Sequence, residues 1–188
     1  TEYSLLDGAC RIQPLMEHLK KIGQKAVAIT DHGVMYGAVD FYKAAKKAGI
    51  KPIIGSELYV AARTRFDRVY ELDAAAYHLV LLCKNEIGYK NLIKLCSAGF
   101  TEGFYIKPRI DFDLLKQHSE GLVCLSACLA GEVQQFLLND NYQGAKECAL
   151  KYDAVFGRGN YYLELQDHGI EDQKKVNVGL IKLSRETG

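Results

Sequence analysis

Apolar positions along the chain switch repeatedly between two spacings. Residues 11–22, RIQPLMEHLKKI, set Ile12, Leu15, Met16, Leu19 and Ile22 on one helical face, and Gly23 supplies a C-terminal stop. KAVAIT (25–30) then reads as a strand, residues 36–48 as a helix closed by Gly49, and KPIIGSELYV (51–60) as a second strand. The alternation continues with a strand at 78–83, a helix at 87–98, a strand at 122–127 and helices at 131–140 and 142–156. A strand at 161–166 and a helix at 171–186 complete it. Strands apolar on both faces and separated by helices predict a parallel sheet covered by helices, either an α/β barrel or a doubly wound sheet.

One internal echo refines this picture. Lys20-Lys21-Ile22-Gly23 returns 26 residues later as Lys46-Lys47-Ala48-Gly49. The same offset carries Lys25 onto Lys51, Val27 onto Ile53, Thr30 onto Ser56 and Asp31 onto Glu57. Two successive strand–helix units are therefore expected to deliver an acid to the same place, the C-terminal ends of their strands. Ligands and catalytic groups collect there in parallel α/β folds. The grammar also calls for a strand before the first helix and another after Gly188, so the chain reads as an excised piece.

With 188 residues, 48% of them apolar and 25% charged, the chain suits one well-packed domain. A formal charge of +1, from 24 basic and 23 acidic residues, argues against holding nucleic acid by bulk electrostatics, so any such contact is local. No apolar run approaches the roughly 18 residues that span a bilayer, no signal peptide is evident, and the expected setting is the cytoplasm with no membrane partner. The six cysteines form no Cys-x-x-Cys pair and read as buried free thiols. The usual phosphate-cradling glycine loops and the Gly-x-Ser-x-Gly elbow are absent. RTRFDR (63–68) reads either as a solvated charged loop or as a small DNA-contacting one.

The polar residues at predicted strand ends are Asp31 and His32, Glu57, Cys128, and Glu164 to His168. Acid, imidazole and thiolate together form the ligand set of a borderline metal such as zinc or manganese. Ions held there activate water and neutralise phosphate during hydrolysis. Each residue also has a purely local role open to it. His32 suits a hydrogen-bonded structural histidine, Asp31 suits a helix cap or a turn with Gly33, and Cys128 suits a nucleophile paired with a distant histidine.

Five ordered stretches, TEYSLLDGACRI, AITDHGVMYGAVDFYKAAKKAGIKPIIGSELYV, YHLVLLCKNEIGYKNL, GLVCLSACLAGEV and YYLELQDHG, closely resemble the PHP (polymerase and histidinol phosphatase) domain. The resemblance is to the form found at the N-terminus of the bacterial DNA polymerase III α subunit, a C-family replicative polymerase, and it runs over essentially the whole chain. It implies a distorted seven-stranded (β/α) barrel, here truncated by about one strand at each end. The chain, 1–188, is then a single PHP domain fragment from the N-terminal region of a much longer polymerase.

The resemblance also implies a site. Asp7, His32, Glu57, His78 and Cys128 match metal-ligand positions, with His32 and Glu57 at its catalytic centre. Asp31, beside His32, reads as an orienting residue rather than a ligand, and His168, at a strand end, reads as binding phosphate or holding structure. Position 56 is Ser where the family more often has Cys. A His-x-His before Thr1 and an Asp-x-His after Gly188 would complete the set, so incomplete metal binding by this piece alone is expected. In the family the complete cluster holds up to three divalent ions, zinc or manganese, and hydrolyses phosphate esters. In the replicative polymerases that retain it, the resemblance implies 3′→5′ exonuclease proofreading. The implied partners are the 3′ end of DNA, the remaining polymerase domains and other replicase subunits. Two further readings stand beside this one: a structural or partner-binding module without catalysis, and a stand-alone phosphatase of the histidinol-phosphate type.

Overall fold

The computed structural model describes residues 1–188. Its first half comprises α1 (Ile12–Lys21), β1 (Ala26–Ile29), α2 (Ala38–Ala48), β2 (Lys51–Ala61), α3 (Tyr70–Asp73), β3 (Ala76–Cys83) and α4 (Glu86–Thr101). The second half comprises β4 (Phe104–Tyr105), β5 (Lys107–Ile110), α5 (Phe112–Gln117), β6 (Leu122–Leu125), α6 (Glu132–Leu138), α7 (Tyr142–Phe156), β7 (Tyr161–Tyr162) and α8 (Glu171–Thr187). No helix is long and apolar enough to cross a membrane.

Six strands lie side by side in the order β4-β5-β2-β3-β6-β7, and β1 pairs with the first half of β2. Two features depart from the parallel expectation. Strand β3 runs antiparallel to both of its neighbours, β2 and β6, and β4 turns back on β5 as a hairpin. The reason for the first lies in the connection. A parallel return usually crosses through a helix packed on the sheet, whereas residues 62–75 form only the single turn of α3. The chain therefore doubles back beside β2.

The echo also resolves differently in space. Strands β1 and β2 pair with Ala26 opposite Lys51 and Ile29 opposite Ile54, and an isolated bridge then sets His32 opposite Glu57. This register runs one residue short of the sequence repeat. Because successive side chains point to opposite faces of a strand, Asp31 and Glu57 are carried to opposite sides of the sheet. The imidazole of His32, and not the Asp31 carboxylate, is the neighbour of Glu57.

The helices α1, α2, α4, α7 and α8 match the expected spans to within a few residues at each end. The last two expected strands are shorter than their apolar runs. Strand β6 stops at Leu125, two residues before Ala127, whose φ of 64° ends the extended run. Beyond Tyr162 the ladder passes to a side chain, with the Glu164 amide donating to Ser126 Oγ at 2.8 Å.

Two apolar cores hold the layers together. The larger joins 22 buried residues from β2, β3, β5 and β6 with the inner faces of α4 to α8, including Leu58, Leu81, Leu95, Leu115, Tyr152 and Leu180. The smaller packs Ile12, Met16 and Leu19 of α1 against Ile29, Phe41, Ala44 and Ala45 of β1 and α2. Burial of this apolar surface supplies most of the folding free energy, at about 25 cal/mol per Å². It leaves His32 beyond β1, Glu57 within β2 and His78 near the start of β3 only partly covered.

Candidate metal centre

Strand β2 forms the floor of the site. Glu57 and Tyr59 are two residues apart and so share a face, His78 of β3 is the register partner of Tyr59, and His32 is the bridge partner of Glu57. The reversal of β3 thus accounts for a residue whose position at the start of a strand had no explanation in a parallel sheet. Running antiparallel, β3 brings its beginning to the level where β1 ends.

The side chains meet at short range. His78 Nδ1 lies 2.7 Å from Glu57 Oε1, and His32 Nε2 lies 2.8 Å from Asp7 Oδ2 and 3.8 Å from Glu57 Oε2. Cys128 Sγ stands 3.5 Å from His78 Nδ1 and 3.8 Å from Glu57 Oε1. Donor atoms of His32, Glu57 and His78 all fall within 4.8 Å of one another, a group that can hold a metal ion. Asp7, on the loop before α1, is well exposed, while Glu57 is mostly covered. The bond to Cys128, and after it the bond to Glu57, raise the pKa of His78 from 6.5 to about 9. The cluster contains no Lys or Arg: its acids and thiol face two imidazoles. His32 Nδ1 is buried without a hydrogen-bond partner. Two imidazoles, carboxylates and a thiol in contact fit a borderline divalent ion well.

Asp31 is buried and points to the other face. It accepts hydrogen bonds from Thr1 Oγ1 at 2.8 Å and Ser4 Oγ at 2.8 Å, and Ser4 Oγ in turn accepts the backbone N–H of His32 at 3.0 Å. The carboxylate therefore reaches the site only through Ser4, by fixing the backbone of His32. His168 lies apart from this group. Its amide donates to Gln173 Oε1 at 2.7 Å and its Nδ1 is 2.9 Å from Gln173 Nε2, at the start of α8.

Sequence reasoning passed over Tyr59. Its ring lies 6.2 Å from that of His32, nearly parallel, and 5.2 Å from that of His78, edge-on. Period-two spacing from Glu57 was the available signal. The RTRFDR stretch resolves toward structure. Arg63 binds Asp73, Arg65 binds Glu102 and Asp111, and all three acids are thereby paired.

The fold and these contacts define a class. Residues 1–168 match the PHP domain, and the chain belongs to that family. It is 51% identical over 189 residues to DNA polymerase III subunit alpha of Treponema pallidum and 47% identical over 193 residues to that of Thermus aquaticus. All of this chain is covered in both comparisons, which span 16% of each relative's length. Among solved structures, a Bifidobacterium adolescentis protein assigned as a metal-dependent phosphoesterase shares the fold. It gives a TM-score of 0.52 at 14% identity, covering 95% of this chain and 80% of the other.

Proposed function

We propose that the chain is the PHP phosphoesterase domain of a bacterial replicative polymerase α subunit and that its site hydrolyses phosphodiesters at a DNA 3′ end. The observation that carries this reading is the convergence of His32, Glu57 and His78 within 4.8 Å on one sheet face, with Asp7 and Cys128 against them. These five residues would hold zinc or manganese, and such ions, when bound, supply an activated water and neutralise phosphate charge. His32 and Glu57 sit at the centre of the cluster, and Asp31 orients His32 through Ser4. His168 serves the start of α8 and is assigned structure rather than phosphate binding.

The wider proposals follow from the similarity to polymerase subunits. Residues 1–188 form one domain of a longer chain, and flanking strands complete a seven-stranded barrel and a cluster of up to three ions. The rest of the polymerase, the other replicase subunits and the DNA 3′ end are its partners, and the cytoplasm is its setting.

The test uses the full-length protein with Glu57→Ala and, separately, His32→Ala. Loss of metal-dependent 3′→5′ exonuclease activity with polymerisation retained is the expected result. Unchanged exonuclease activity with reduced stability would favour a structural module instead.

A further inference from the structure

Lys107 opens β5, and its ammonium lies 5.4 Å from the centroid of the Tyr59 ring. That ring in turn packs against both site imidazoles, His32 and His78. Strand register determines where the lysine points. Arg109 is the partner of Tyr59, and Lys107 precedes it by two residues, so Lys107 rises from the same sheet face as Tyr59, Glu57 and His78.

Three neighbouring arginines are committed elsewhere. Arg63 is bound to Asp73, Arg65 to Glu102 and Asp111, and Arg109 donates to the backbone carbonyls of Arg65, Asp67, Asp73 and Gly103. Lys107 is exposed and forms no ion pair, leaving a positive charge at the edge of an acceptor-rich cluster.

Its placement is also constrained. Ile106 alone links β4 to β5 and has a φ of 63°, a genuine outlier for a β-branched residue that persists only where the surroundings enforce it. Gly33, at φ 67°, lets the next strand close in: a Cβ there would meet Pro108 Cγ and Tyr59 Cε2, each at 3.0 Å. The base of the lysine is thereby held against the His32 loop.

We infer that Lys107 is a phosphate-binding residue of this site, its ammonium steadied over Tyr59 and donating to a phosphate oxygen that faces away from the metal ligands. The inference rests on the phosphoesterase reading for its substrate class alone.

The test titrates inorganic phosphate into the full-length protein loaded with manganese, followed by calorimetry. Lys107→Ala is expected to weaken phosphate binding about tenfold, the size of one charge-assisted hydrogen bond, and Lys107→Arg to keep most of it. Manganese stoichiometry and thermal stability should match the parent protein in both variants. Phosphate binding unchanged in Lys107→Ala, no phosphate binding by the loaded parent, or a loss of manganese in Lys107→Ala would each overturn the inference. Phosphate binding that depends on Lys107 in a protein hydrolysing no phosphoester would uphold it while refuting the phosphoesterase reading.

Discussion

Two clusters of ionisable residues flank Tyr59 on the outer half of β2, and they are built on opposite plans. Around Arg109 the buried charges are matched. The guanidinium is fully buried yet donates to four backbone carbonyls, Asp73 takes Arg63, and Asp111 takes Arg65 while also accepting the Leu114 amide to cap α5. Around Glu57 the acids and the thiol face only imidazoles, with no guanidinium or ammonium in contact, and His32 Nδ1 is left without a partner. The first cluster is complete and holds a loop in place. The second is short of positive charge, which a divalent cation would supply.

The sharpest way to break this contrast is Arg109→Met. Leaving four buried carbonyls without their donor should cost about 3 kcal/mol or more in denaturant melts. A loss below about 1 kcal/mol would show that the first cluster is dispensable. In the second cluster Glu57→Gln should do the reverse, weakening divalent-metal binding on the order of 100-fold while moving metal-free stability by less than about 1 kcal/mol. Calorimetric metal titration alongside melts separates the two effects.

Smaller effects follow at the margins. Asp111→Ala removes both a helix cap and the partner of Arg65, and should cost about 1–2 kcal/mol with metal binding unchanged. Ser4→Ala cuts the link from Asp31 to the His32 amide. Its expected signature is metal affinity about 10-fold lower, with an otherwise normal melt.

The clusters should also part company with pH in the metal-free protein. The hydrogen bond from Arg63 holds Asp73 below its usual value of 3.8, so its contribution is present above that pH and is lost as pH falls through the lowered pKa. His78 is raised from 6.5 to about 9 by Cys128 and then Glu57, so its contribution is whole below 6.5 and fades as pH rises through about 9. Urea melts across this range should lose the acid limb in Asp73→Asn and the alkaline limb in His78→Gln. Metal binding over the same range should strengthen with rising pH, because a ligating imidazole must first shed its proton.

Much of the candidate site was legible. His32, Glu57 and Cys128 were named from residue type, strand-end position and family resemblance, Asp7 and His78 from the resemblance alone, and the fold brings the five into contact. The echo misled in one respect. Its offset aligned Asp31 with Glu57 because both follow an apolar run, but a repeat in sequence does not determine pairing register. The role of Arg109 had no local signal at all. Nothing in KPRI distinguishes it from a solvated arginine, since its acceptors come from residues 65, 67, 73 and 103.

What the amino-acid sequence determined alone is the identity and order of the longer elements: such a helix or strand announces itself through the period of its own apolar residues, and the metal-binding chemistry through its own side chains, whereas the short α3, β4, β5 and α5 carry no such signal. What only the tertiary structure decided is direction and level. An apolar strand pattern reads the same in either direction, so nothing within AYHLVLLC shows that β3 is reversed. Sliding one strand past its neighbour by a single residue exchanges which side chains meet. Those two choices depend on contacts between distant segments, and they set His78 and His32, rather than Asp31, beside Glu57.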